Sequence, residues 1–167
     1  YSTFDTAGNV VRILDPIRGK RLDRYAGLLG DNHRDYFENH VKSLLDRFLI
    51  SVDAINYLHQ NGFKHGDVRR DHIFVDNCDG HFQWIDFDYD FHLPERPFAL
   101  DLFGLGNILL FILGQQNFRP SNILSNPKLG QKVYDSLIPG DFSILSRDRL
   151  FNLRKIYPYI PRPMNDI

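Results

Sequence analysis

Residues 65–72 read HGDVRRDH: two histidines, two aspartates and two arginines in eight positions, after which the chain turns apolar at 73–75. Carboxylates accept protons and bind hard cations, and guanidinium groups neutralise phosphate. Alone, such a stretch is a charged turn. Asp86 changes the reading, because it stands fourteen positions after His72, in IDFD at the end of a second strand-like run. Asp101 then opens an apolar run, ALDLFGLG.

The flanking sequence supplies elements to position these groups. Tyr1–Thr6 and Val10–Leu14 are β-branched and aromatic around a turn at Ala7–Asn9, which predicts a hairpin. DPIRGK is a connection, and RLDRYAGLL reads as a short helix closed by Gly30. A long helix is expected from about Arg34 to Gln60, since Val41, Leu44, Leu45, Phe48, Val52, Ile55 and Leu58 recur at threes and fours. Gly62 then suits a left-handed cap. HIFV and FQWIDF flank DNCDGH, a second hairpin with an Asp-Gly turn. An apolar helix carries Asp101, and the three prolines of YPYIPRPMNDI predict an irregular tail. GLGN at 104–107 lies inside the apolar run and lacks a third glycine, so helix packing explains it better than a phosphate loop.

HGDVRRDH followed by IDFD resembles the catalytic loop and metal motif of protein kinase-like phosphotransferases, usually His-Arg-Asp-Leu-Lys-x-x-Asn and Asp-Phe-Gly. It is nearest in motif to bacterial lipopolysaccharide and small-molecule kinases, in which His-Gly-Asp is frequent. The resemblance implies an α+β, protein kinase-like fold: a mainly helical C-terminal lobe with short β-hairpins over residues 21–167. Residues 1–20 would be the end of an N-terminal lobe, hairpin and hinge, whose remainder lies outside this chain. It also implies ATP and Mg²⁺ (Mn²⁺ being possible), with Asp67 accepting the hydroxyl proton, Arg69 neutralising the transferring group and Asp86 holding the ion. His65 braces the loop and Asp101 anchors it, although a plain helix N-cap would explain Asp101 too.

At the front, VRILDPIRGKRL is similar to the hinge that holds adenine in that family. Leu14 takes the gatekeeper position, Asp15 and Ile17 face the adenine edge with carbonyl and amide, and Phe74 forms the floor. The sequence departs from the family at His72, where asparagine normally supplies a second metal contact. Imidazole is a softer ligand than a carbonyl oxygen. His72 is therefore either a variant metal ligand or the mark of a pseudokinase acting as a binding module. Gly66 replaces the arginine that in many protein kinases pairs with a phosphorylated loop. Residues 87–100 contain no Ser, Thr or Ala-Pro-Glu motif. Both departures favour a sugar, glycolipid or other small hydroxyl acceptor over a Ser/Thr protein substrate.

Composition narrows the classes further. The 167 residues suit one domain, and 20 basic against 21 acidic side chains give a net charge of −1, which does not predict a nucleic-acid binder. A single cysteine, Cys78, excludes an internal disulfide framework and a thiolate zinc site. No apolar run approaches the roughly 20 residues a membrane span requires. A cytoplasmic protein is expected, and the opening YSTFDT, without Met, reads as a piece of a longer polypeptide. His33, His40, His59, His81 and His92 lack ligand spacing and read as ordinary surface or core residues. Arg70 and Asp71 read as solvated, with Arg70 able to face the acceptor.

Overall fold

The computed structural model describes residues 2–88, 94–143 and 148–165. Its core grows from two helices whose apolar stripes face each other. α3, Val41–Gln60, buries Val41, Leu44, Phe48 and Ile55 on one side, as the three-and-four spacing demands. α4, Ala99–Gly114, is so apolar that its C-terminal half is buried almost all round, from Leu110 to Gly114. The two pack together, and α3 also covers the small sheet described below.

The helix expected from about Arg34 is two helices. α2, His33–Asn39, ends at His40, whose φ of −123° breaks the helical run before α3 begins. Tertiary bonds explain the split. The Tyr36 hydroxyl donates to the Ile112 carbonyl at 2.7 Å, and His33 Nε2 lies 2.9 Å from the Leu113 carbonyl. These tie α2 to the C-terminal end of α4, while α3 follows the side of α4. A propensity pattern cannot register such a change of partner. At the other end of α3 the cap is as expected, with Gly62 at φ +77° and the Phe63 N–H reaching back to Leu58.

Two small antiparallel sheets complete the mixed architecture. β1, Ser2–Phe4, and β2, Val10–Arg12, form the first hairpin, with Ser2 opposite Arg12; Tyr1 lies outside the described residues. The second sheet has three strands. β3, Gly19–Arg21, pairs with β4, Ile73–Asp76, which pairs with β5, Phe82–Trp84. β3 corrects the reading of DPIRGK as mere connection, and the division at 20/21 falls inside it. Gly19 permits the pairing, since a Cβ there would collide with the Val75 carbonyl. α1, Leu22–Gly27, follows directly and buries Leu22 and Ala26; it stops short of Gly30.

After α4 come α5, Pro120–Ser125, and α6, Gly130–Asp135. The tail is irregular except for α7, Arg162–Asn165. Its Pro163 is tolerated because first-turn amides need no helical partner. Among the described residues no helix is long and apolar enough to cross a membrane.

Candidate active site

The loop from His65 to His72 hangs from a buried carboxylate. Asp101 sits in the first turn of α4 with 0% exposure. Its Oδ2 accepts the backbone N–H of His65 and its Oδ1 that of Gly66, both at 2.8 Å. His59, in the last turn of α3, adds Nε2 at 2.9 Å and stacks on Phe98. Three donors offset the cost of burying this charge, and the helix N-terminus favours an anion there. His59 was not separable from the other histidines in the sequence. Its only signal was a place in the last turn of α3, beside the loop.

Glycine is required twice in this packing. Gly66 has φ +84°, and a Cβ there would run into the Asp88 carbonyl. Gly104 lets α4 touch the loop, because its missing Cβ would occupy the space of Val68. GLGN is thus a packing feature, as read from the sequence.

His65 is wholly buried, stacked on Phe87 with ring centroids 4.3 Å apart and edge-on to Trp84. Its Nδ1 accepts the Asp67 N–H at 3.3 Å, leaving the proton on Nε2, which has no hydrogen-bond partner among the described residues. Burial lowers its pKa, so the ring is neutral. Trp84 is itself pinned through Nε1 to the Ser51 carbonyl of α3.

A short 3₁₀ turn, Arg70–His72, then swings His72 back over the loop. His72 Nδ1 lies 3.0 Å from the Asp67 carbonyl oxygen and 3.3 Å from Asp67 Oδ2, while Nε2 lies 3.8 Å from Asp86 Oδ2. One imidazole thus stands between two carboxylates nineteen residues apart in sequence. Asp86 follows β5 with φ +55°, unusual for a residue with a side chain, and its carboxylate is 71% exposed. The Ile85 N–H bonds to the His72 carbonyl, which fixes that approach.

Arg69 is held differently. Its guanidinium forks onto Asp71, at 2.7 and 3.2 Å, and reaches Asp67 Oδ2 only at 3.8 Å. Burial pulls the Asp71 carboxyl upward, but Arg69 holds it below the usual range. Arg70 and Asp71 are therefore not merely solvated: Arg70 lies over the Phe111 ring, 5.1 Å from its centroid.

The front residues stand apart from this cluster. Leu14 is 80% exposed, Asp15 is exposed and Ile17 half-buried. The Arg18 carbonyl accepts the Asn77 N–H at 2.8 Å, which docks the end of this segment beside β4. Phe74, on β4, points to the face opposite Ile73 and Val75 and pairs with Arg21. Residues 89–93 of the segment between Asp86 and Asp101, His92 among them, lie outside the described residues. Among those described, no group of three or more His, Cys, Asp or Glu is arranged to hold a metal ion.

The chain is similar to the mouse sperm motility kinases 3A and 3B, at 27% identity over 169 aligned residues in each case. The alignments take in 86% of this chain and 31% of each kinase, so the chain spans about a third of the length of these curated relatives. No family model matches the sequence, and no solved structure matches it. At this level of similarity the chain is kinase-like.

Proposed function

We propose that this chain supplies the larger lobe of an ATP-dependent phosphotransferase domain that moves a γ-phosphoryl group onto a hydroxyl. One observation carries the reading: His72 between Asp67 and Asp86, at 3.3 and 3.8 Å from their carboxylate oxygens. Asp67, partly exposed and next to Arg69, is the acceptor of the hydroxyl proton. Arg69, forked on Asp71, neutralises the transferring group from the side.

Asp86 and His72 fit a divalent ion, Mg²⁺ or Mn²⁺. With Nδ1–H donated to the Asp67 carbonyl, Nε2 keeps its lone pair on the Asp86 side, the way a ligating histidine is oriented by its other nitrogen. Nε2 and Asp86 Oδ2, 3.8 Å apart, would both face such an ion. Two protein ligands are enough for an ion that keeps water and phosphate oxygens as its others. Its contribution when bound is to neutralise the donor phosphates.

The adenine would lie against Leu14, the Asp15 carbonyl, the Ile17 amide and Phe74. Leu14 and both faces of the β1–β2 hairpin are exposed, which suits cover by nucleotide and by a preceding lobe of the same polypeptide. The acceptor is a sugar, glycolipid or other small molecule, a reading supported by the motif likeness to lipopolysaccharide kinases and by the short segment without Ser or Thr. A single exposed thiol, Cys78, and ATP as donor agree with a cytoplasmic site of action.

A second reading, a pseudokinase, is favoured by the same imidazole, which stands where the kinase family places a metal-binding asparagine. The deciding measurement is ADP release from Mg·ATP by the full-length protein, with Asp86→Asn alongside. Release that disappears in the variant is expected; equal release from both proteins would move the assignment to the pseudokinase.

A further inference from the structure

We infer that the cleft on the far side of the His65–His72 loop holds a phosphate group already present on the acceptor, so that the substrate is a small phosphorylated molecule such as a sugar or polyol phosphate. This rests on the phosphotransferase reading above.

The cleft has a volume of about 530 Å³ and lies between α1, the loop and α4. That size suits a small molecule. Four arginines line it, Arg21, Arg69, Arg70 and Arg149, against two aspartates, Asp23 and Asp71. Both aspartates are already engaged. Arg21 forks onto Asp23 at 2.8 and 3.1 Å, and Arg69 forks onto Asp71. That leaves Arg70 and Arg149 without a carboxylate partner among the described residues. Arg70 rests on the Phe111 ring, and Arg149 donates to the Asn107 side chain. A chain of net charge −1 thus gathers on one concave wall two guanidinium groups with no carboxylate partner among the described residues, the arrangement that recognises a phosphate through several donors.

Two further observations point to what else the ligand carries. The Asn117 side-chain oxygen is buried on this wall and accepts no hydrogen bond among the described residues. A small turn of the amide would bring this acceptor to a ligand hydroxyl. A neighbouring hollow of about 430 Å³ shares Asp23, Arg70, Asn117 and Arg149 and adds Arg119, whose own partner is the exposed Asp148 at 3.5 Å. The continuous wall can take a phosphate and the hydroxyl-bearing body attached to it.

Position connects the cleft to the chemistry. Val68, Arg69, Arg70 and Asp71, which directly follow Asp67, form part of its wall, and Arg69 touches both the Asp71 carboxylate and the edge of Asp67. Asp86, His72 and Phe74 are not among its lining residues, so the cleft is distinct from the groups assigned to ATP. An acceptor held here by its phosphate would lie along the loop that leads to the proton-accepting carboxylate.

The test is binding, which requires no turnover. Inorganic phosphate, then glucose 6-phosphate and a phosphoserine peptide, are titrated into the full-length protein by calorimetry and thermal shift, with chloride matching the ionic strength. Saturable phosphate binding is expected, unchanged in Asp86→Asn and weakened about tenfold or more in Arg149→Gln and in Arg70→Gln. Arg149→Lys should recover part of the loss, and circular dichroism checks that each variant is folded. Glucose 6-phosphate should bind more tightly than phosphate and far more tightly than glucose. Phosphate binding no stronger than chloride, or retained in both Gln variants, would overturn the inference; tighter binding of the peptide than of the sugar phosphate would overturn the small-molecule part. ADP release that fails while phosphate still binds at these arginines would count against the phosphotransferase reading alone.

Discussion

Asp101 Oδ1 accepts the N–H of Gly66 at 2.8 Å across thirty-five residues of sequence, from the first turn of α4 to the start of the His65–His72 loop. Because the carboxylate also takes the His65 N–H and His59 Nε2, it fixes the loop to both principal helices at once. Asp101→Ala leaves those donors buried and unsatisfied. The expected cost is about 3–5 kcal/mol, or a Tm lower by about 10 °C for a domain of this size. The exposed Asp46, paired with Lys42 on the surface, provides the control, since Asp46→Ala should move Tm by no more than about 2 °C. Equal shifts in the two variants by calorimetry would remove Asp101 from its anchoring position.

Much of this arrangement was legible in the sequence, for identifiable reasons. The α3 stripe, the α4 apolar run and both hairpins carry local signals: a period, a composition, an Asp-Gly turn. That Asp67 and Asp86 lie at the same end of one hairpin was legible because Asp67 precedes its first strand and Asp86 follows its second. What escaped depends on distant partners. The break at His40 reflects where Tyr36 and His33 bond on α4; β3 exists because Gly19 can approach Val75. His59 and Phe87 acquire roles only through Asp101 and His65, and nothing local to either residue announces that. The arginine cleft assembles from the end of β3, α1, the loop, α4 and the segment after α6, places that no motif joins.

His72 separates the two readings of the site. If Nε2 is a metal ligand, His72→Asn puts a carbonyl oxygen near the same place, and a hard cation prefers it. Mg²⁺-supported ADP release should be preserved or raised, and the ratio of Mg²⁺ to Mn²⁺ activity should rise. His72→Leu, which has no donor atom, should lose tenfold or more, on the order of one ligand's worth of binding. A large loss in His72→Asn, with the fold intact, would show that the ring is needed for some other reason.

His33 gives the protein an acid-sensitive element remote from the site. It lies flat against Tyr157, 3.5 Å between centroids, with Nδ1 at 2.7 Å from the Tyr159 hydroxyl and Nε2 on the Leu113 carbonyl. Burial lowers its pKa, so the folded ring stays neutral where the unfolded one, at about 6.5, takes up a proton. The unfolded state then binds more protons, and stability falls as pH falls through that value. Melting curves should show Tm declining from about pH 7.5 to about pH 5.5, with a limit near 1.4 kcal/mol per pH unit from this group. In His33→Gln the slope should be shallower although the starting Tm is lower. An unchanged slope would assign the acid sensitivity elsewhere.

Asp67 is the residue whose loss should affect rate with little effect on anything else. Its carboxylate is 38% exposed, flanked by His72 Nδ1 at 3.3 Å and Arg69 at 3.8 Å, and it takes no part in the core. Asp67→Asn keeps the shape and removes the proton acceptor. Turnover should therefore fall by about 10²–10⁴, while Tm moves by no more than about 2 °C. Nucleotide affinity, followed with a fluorescent ATP analogue in Mg²⁺, should stay within roughly threefold, because Asp86 and the Leu14–Ile17 segment are untouched. Single-turnover rates separate the outcomes. A fall in rate with nucleotide binding preserved assigns Asp67 to the acceptor hydroxyl; a fall in nucleotide affinity by the same factor would make it part of the donor site, and Arg69 with the cleft beyond it would then have to be reassigned to the ATP phosphates.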